Sequence, residues 1–549
     1  MRPLSLLALA LLAAPASAQF PEPADPCPLG TAEARLTGVN VEAALFTNGN
    51  LFFGNETTDG SGYLVPLGAR SPTGRPLSPH YATGLWLGGT VGGELRTASA
   101  RYTNFRFRPG LTGSDGTPPS PDECAAADRV WVVSREDVEQ YLGGGFPTDD
   151  LLEWPVHLGA PVLDGDGIEG NYDLEAGDQP ALRGDVMAFW TMTDTATPSF
   201  REASVGVDVA VEAFAFRNLA LGTETFYRFT VTNRNAAPLE DAYLGTFHDV
   251  DLGDPGDDYI GTDTTAHLLY VYNANNSDAS YGIPPAYGFS VLESPIGLPN
   301  GRDDDRDGEV DEPGERLGLT ATSHILHGPA VRDPLTSEET YYRLQGLWND
   351  GTPMREEGMG YSTASTAPIT PYVFPGDPIA GEPWSAVNDG EGPRTGGDAR
   401  GLMSTGPFRL EPGASATVTL AAAYAQGEDH LNSVVKLRAK ARGLRQLAAD
   451  GLLEPSRVTS VSQPIPPALT VTRPAPNPFT GATALTFTGV EGARLTVAVY
   501  DALGREVRAP LAVEADGAVE VGGGLAPGVY LVRIAGLGFE EAFPIAKVR

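Results

Sequence analysis

The sequence predicts a mainly β protein: a β-sandwich-like N-terminal and central region with one basic helix, followed by a separate small β domain. Three observations predict it. Gly and Pro number 66 and 47 among 549 residues, punctuation too dense for a chain built of long helices. Between them lie short runs rich in Val, Thr, Phe and Tyr, some alternating with polar residues. Only Asn432 to Asp450 carries a sustained helical repeat. The 41% hydrophobic share is enough to build cores and argues against wholesale disorder.

The chain opens with Arg2, an apolar run from Leu4 to Ala14, and the small residues Ala16-Ser17-Ala18. That is the pattern of an export signal over residues 1–18, with a mature chain starting at Gln19. The run is shorter than the roughly 20 residues a membrane span needs. No later stretch is apolar enough, so no transmembrane span is expected in the mature chain, which should be secreted or held at the cell surface.

Residues 19–128 are expected to form an N-terminal β-rich domain. Ala43 to Phe46 and Leu51 to Phe53 flank Asn48-Gly49, a strong hairpin signal. Tyr63 to Pro66 and Gly84 to Gly89 read as further strands, and Pro109 to Asp128 as a loop. A central β-rich region follows over 129–455. It begins with a strand at Arg129 to Val133, and Ser134 with Asp137 three residues on marks a short helix start. Tyr227, Phe229 and Val231 alternate with Arg228, Thr230 and Thr232 in a half-buried strand. Phe408 to Tyr424 reads as a hairpin around Glu411-Pro412-Gly413.

In the one helical stretch, Val434, Leu437, Ala441, Leu444 and Ala448 share a face, while Lys436, Arg438, Lys440, Arg442 and Arg445 supply the charge. It is either a docking patch or a solvated helix packed on the sandwich. Residues 456–467, with Gln463-Pro464-Ile465-Pro466-Pro467, read as a stiff linker to a last domain over 468–549.

Asp and Glu total 71 against 37 Lys and Arg, a formal net charge of -34. Such a surface repels phosphate backbones and excludes a nucleic-acid partner; it suits bound divalent cations. Two cysteines, Cys27 and Cys124, permit one disulfide in an exported chain, the alternative being two separate buried thiols.

The last domain carries a recognisable set of motifs. Pro474-Ala475-Pro476-Asn477-Pro478 opens it, Leu495 to Tyr500 runs into Asp501-Ala502-Leu503-Gly504-Arg505, and Pro527-Gly528-Val529-Tyr530 starts another strand. The chain ends on Ala546-Lys547-Val548-Arg549. In this order they resemble the type A sorting domain of the type IX secretion system. The resemblance implies a small immunoglobulin-like sandwich read by the outer-membrane machinery, and a cargo released or attached to surface polysaccharide. The acidic Glu540-Glu541 just before the basic tail departs modestly from that pattern.

Three segments concentrate carboxylates. Asp303, Asp305 and Asp307 alternate before Gly308, and Asp311, Glu312 and Glu315 follow. This is the oxygen-rich front half of a calcium loop, although Gly314 stands where an EF-hand places its bidentate Glu. Asp164 and Asp166, with Asn171 and Asp173, form a second candidate Ca2+ site, and Glu175 and Asp178 lie just beyond. Asp249 and Asp251 head a third, which continues through Asp254, Asp257, Asp258 and Asp263. With Trp154-Pro155, Gly159-Ala160-Pro161, Asn171-Tyr172-Asp173 and Asp257-Asp258-Tyr259, the middle region is similar to a group of poorly characterised large secreted cargo proteins. That likeness implies no activity.

No nucleophile elbow, phosphate loop or His-Glu-x-x-His motif is present. His324 and His327 lack a third ligand nearby in sequence; His248, next to Asp249, is the one histidine placed to join an acidic site. The sequence therefore reads as a non-enzymatic, calcium-stabilised protein of adhesive or glycan-contacting type. The alternative is a secreted polysaccharide hydrolase using paired carboxylates.

Overall fold

The computed structural model describes residues 27–549 except 55–61, 104–105, 197–202, 219, 299–302, 304–308, 391–395, 459–469, 473–476, 489–493, 502–504, 515–516 and 537–538. The expected export signal, the acidic-loop residues Asp305, Asp307 and Gly308, and most of the linker lie outside the described residues.

Two nine-stranded antiparallel sheets form the body. The first runs Glu33–Thr37, Glu42–Phe46, Asn50–Leu51, His80–Val91, Leu239–Val250, Ala399–Leu410 and Ala321–Ile325, with Tyr63–Leu64 and Glu94–Ser99 paired at its side. The second runs Asp258–Asp263, Leu268–Asn273, Pro285–Glu293, Ser415–Gln426, Thr225–Asn233, Val207–Ala215, Val186–Thr193 and Arg108–Pro109; Trp131–Ser134 joins Val186–Thr193. The architecture is the β-sandwich-like one expected. In Thr225–Asn233 the alternation works as read, with Tyr227, Phe229 and Val231 buried and Arg228, Thr230 and Thr232 half-buried.

Residue 128 is not a domain boundary. His80–Val91 has Leu239–Val250 as its ladder partner, so the first sheet cannot be completed without the central region. One continuous core extends from Leu36 to Val458. A disulfide joins Cys27 to Cys124, with Cα atoms 5.8 Å apart, in a small buried cluster with Ala196.

The turn at Glu411-Pro412-Gly413 corrects the hairpin expectation: the strands it joins lie in different sheets. Ala399–Leu410 is flanked by Leu239–Val250 and Ala321–Ile325, and Ser415–Gln426 by Thr225–Asn233 and Pro285–Glu293. Neither has a free edge for the other, so the chain arches across the sandwich.

Helices cover the sheets. His430–Leu447 starts at Asp429, whose carboxylate caps the Asn432 amide, and buries Val434, Leu437, Ala441 and Leu444. Three of its charges face acids of the body: Arg438 and Arg442 meet Asp263 at 2.6 and 2.9 Å, and Lys440 meets Glu224 at 2.5 Å. This is the packed-helix alternative. Ser337–Leu344 lies over the first sheet, its Leu344 packing with Trp86, Phe247, Ile325 and Leu402. Pro121–Ala127 is a short helix inside the expected loop; its signal was present in the Ser120/Glu123 capping box. Among the described residues no helix is long and apolar enough to cross a membrane.

Residues 470–549 build sheets of three and four strands around a separate core of Leu485, Val497, Val499, Val532, Ile534 and Ile545. Tyr500 and Asp501 end one strand, and Arg505 turns back onto Asp501 at 2.7 Å.

Candidate functional site

At one end of the first sheet, carboxylate oxygens of Asp249, Asp251 and Asp398 lie within 4.8 Å of one another. Strand pairing brings them together. Alternation along Leu239–Val250 points Asp249 away from His248, and Asp251 follows one residue beyond that strand's end. The ladder pairs Asp249 with Arg400 and Val250 with Ala399, so Asp398 arrives beside Asp251 from the neighbouring strand.

The same alternation turns His248 away. It lies in the sandwich core, stacked on Phe289 at 4.1 Å and bonded to Thr83 and Thr246, so it has no place in the acidic site. Burial, with His80 nearby, holds its pKa well below the usual histidine range.

The three acids are weakly compensated. Tyr102 donates its hydroxyl to Asp249 at 2.5 Å, and Arg400 stands 3.4 Å from Asp398 while also binding Asp333 at 3.1 Å. Burial, reinforced by repulsion from Asp251 and Asp398, pushes Asp249 up to about 7. Burial and Asp398 push Asp251 up to about 6. Phe53, Tyr81 and Tyr102 form a half-buried aromatic group alongside, ring centroids 5.2 to 6.2 Å apart.

Behind Asp398 and Arg400 opens a cavity of about 390 Å³, also lined by Asp258, Tyr259, His324 and Phe374. Asp258 accepts the Leu252 amide on Oδ2, while its Oδ1 has no hydrogen-bond partner among the described residues; burial drives its pKa well above the carboxylate range. His324 is only 3% exposed and hydrogen-bonds the Met359 carbonyl through Nε2.

The rest of the third acidic segment disperses. Asp254 donates its amide to Asp278, Asp257 accepts from Asn273 and Asn275, and Asp263 serves Arg438 and Arg442.

The second segment forms a cluster of different membership: Asp164, Asp166 and Asp178. Leu163 pairs with Gln179, which carries Asp164 and Asp178 to the same end of a two-stranded ladder. Asn171 donates its amide to Asp166, and Asp173 donates its backbone amide to Asp178, so these two support the cluster from outside it. Asp178, which the sequence placed just beyond this candidate site, is a member of the cluster because the strand pairing across the loop brings it back beside Asp164.

In the first segment, Asp303 is half-buried, Asp311 exposed with φ of 54°, Glu312 half-buried and Glu315 buried. Glu315 closes a turn by donating its amide to the Glu312 carbonyl. The described residues include no converging cluster there, and the expected meeting of Asp303 with Asp305 and Asp307 falls outside them.

No family model matches the chain, and no curated protein matches it. Two solved structures are similar in part. One is a polysaccharide lyase, 10% identical over 94% of this chain with a TM-score of 0.25; this chain spans 46% of the lyase. The other is the BSP domain of a biofilm-associated protein, 9% identical over 94% of this chain and 80% of its own, with a TM-score of 0.15. Both superpositions are too loose to carry an argument about fold family or activity.

Proposed function

We propose that this is an exported, non-enzymatic surface or extracellular protein of glycan-contacting type that binds Ca2+ at Asp249, Asp251 and Asp398. One observation carries the reading: three carboxylates converge at a sheet end with, among the described residues, one hydroxyl and one guanidinium set against them. An oxygen-only donor set suits a hard cation rather than a thiophilic or imidazole-seeking metal. A divalent ion there would turn mutual repulsion into attraction. Export is supported by the Cys27–Cys124 disulfide, which suits an oxidising compartment, and by the separate C-terminal core. Under the sorting-domain reading that last unit engages the type IX outer-membrane machinery.

Calorimetric titration with calcium tests the site. The wild type should bind it, and the Asp249→Asn/Asp398→Asn pair should lose that binding while keeping the wild-type fold by circular dichroism. A wild type that takes up no calcium sinks the assignment. Export is tested separately by deleting residues 468–549, which should leave the chain in the periplasm.

A second reading, hydrolysis of polysaccharide by paired carboxylates, is favoured by the two raised acids. A site holding Asp249 near 7 and Asp251 near 6 keeps both protonated and ionised forms accessible at neutral pH. Polysaccharide cleavage in the presence of chelator, abolished by Asp249→Asn, would replace the first reading with this one.

A further inference from the structure

A second cavity, of about 510 Å³, opens between the end of strand Pro285–Glu293 and the turn Ala448–Leu452 that follows the long helix. It shares no lining residue with the cavity behind Asp398. Its walls reverse the charge of the chain. Acids outnumber bases 71 to 37 overall, yet this lining sets Arg183, Arg228, Arg316 and Arg445 against Glu293 and Glu454.

Two of the four arginines are matched. Arg183 and Arg228 share Glu212, at 3.1 and 3.4 Å, and Arg228 also pairs with Glu293. Burial, reinforced by Arg228 and opposed by Glu212, Glu293 and Glu454, holds Arg183 below the usual arginine range. Arg445 is half-buried and donates Nη1 to the Val291 carbonyl. Arg316 differs from the rest. It is exposed, donates Nη1 to the Ser294 carbonyl at 2.6 Å, and has no carboxylate within ion-pair reach among the described residues.

These walls select a ligand. A guanidinium fork pairs with an oxyanion through two parallel N–H bonds. A second negative charge on the ligand would face Glu293 or Glu454, and a long polyanion would meet a chain of net charge -34. One charge therefore suits the site. A ligand ammonium aimed at the exposed Glu454 would be repelled by Arg183, on which that carboxylate already acts; a hydroxyl can donate to Glu454 without that repulsion. A hydrocarbon acid would lay its chain against the same two glutamates. What remains is a monoanion with hydroxyls on one side and a C–H face for Leu292, Ala449 and Leu453 on the other. A sugar ring carrying one carboxylate or one sulfate ester has this make-up, and the volume lies within the range of small-ligand pockets.

We propose that this cavity binds one acidic sugar unit of a glycan, its single carboxylate or sulfate ester held by Arg316 and Arg445 and a hydroxyl by Glu454. The proposal rests on the glycan-contacting part of the function reading and not on the cation.

The purified full chain, in calcium-free buffer stripped by a chelating resin, is titrated with the methyl glycosides of glucuronate and galacturonate and with the 6-sulfates of glucose and galactose. The neutral methyl glucoside and galactoside are the controls, and calorimetry and saturation-transfer NMR read the binding. At least one acidic sugar should bind with unit stoichiometry, at least about tenfold more tightly than its neutral counterpart. The uronate and sulfate arms show which oxyanion the site takes. Arg316→Gln and Ala449→Trp, both at exposed lining positions, should each weaken that sugar at least about tenfold. Should one variant fail to fold by circular dichroism, the other carries the test. Binding of none of the acidic sugars overturns the proposal, as does binding that both folded variants retain. Equal affinity for hexanoate, L-alanine or inorganic sulfate would make this a general anion or zwitterion site and equally overturn it. Neutral sugars bound as tightly as the acidic ones, and kept by both variants, would overturn this proposal while leaving the glycan-contacting reading in place, so the two fail separately.

Discussion

In the loop between Val162–Leu163 and Gln179–Pro180, each acid of the cluster accepts two N–H groups. Asp164 takes the Asp166 and Gly167 amides, Asp166 the Ile168 amide and the Asn171 side chain, and Asp178 the Gly165 and Asp173 amides. These bonds hold Asp166 below the usual carboxylate range. At the end of the first sheet, Asp249, Asp251 and Asp398 meet as closely, yet burial and mutual repulsion push Asp249 and Asp251 upward. Carboxylate spacing therefore does not distinguish the two places. The supply of donors does: the loop is held by its own amides, and the sheet end leaves negative charge for something else to neutralise.

The largest effect expected from this contrast is on stability. Asp178→Ala strips two backbone amides of their acceptor at a site 1% exposed and should destabilise by about 2–4 kcal/mol in urea unfolding. Asp398→Ala removes a half-exposed acid from a repelling trio and should stay within about 1 kcal/mol of wild type without calcium. Equal losses would erase the contrast. Calcium supplies the next test. At a hundred times its dissociation constant it should stabilise the wild type by about 2.7 kcal/mol, an increment that vanishes in Asp398→Ala and survives in Asp164→Asn. The reverse pattern would move the cation to the loop.

Much of this was readable locally. The alternation around Phe229, the buried face of His430–Leu447 and the Ser134/Asp137 capping box each follow from residues within one or two turns of chain. Even the turning-away of His248 was available, since neighbours in a strand face opposite ways. Asp398 was not. It reaches Asp251 only through the pairing of Val250 with Ala399, a register fixed by the assembly of the whole sheet. The arch at Glu411-Pro412-Gly413 escaped for the same reason: its local turn residues also fit a hairpin, and the occupied strand edges decided the outcome. Local patterns fix which way a side chain points; partners from distant strands decide what it meets.

Asp194 combines the two environments and so asks whether burial or donors prevail. Its carboxylate accepts the Val205, Gly206 and Val207 amides at 2.5, 3.0 and 2.9 Å, a supply as rich as the loop's. It is also 2% exposed, and burial pushes it up to about 6 despite those amides. An unfolded Asp titrates near 3.9, so between about pH 4 and 6 the folded chain holds this proton more tightly. The resulting stability is complete below about pH 4 and is lost as pH rises through about 6. The wild type should therefore gain about 1.4 kcal/mol between pH 7.5 and 5 that Asp194→Asn does not, whatever their offset at pH 7.5. Comparing the two proteins at each pH cancels the other raised acids, which both retain. Urea unfolding at the two pH values measures it. A stability difference that does not change with pH would mean that three amides keep Asp194 ionised at full burial, so that donors alone set the charge at both acidic clusters.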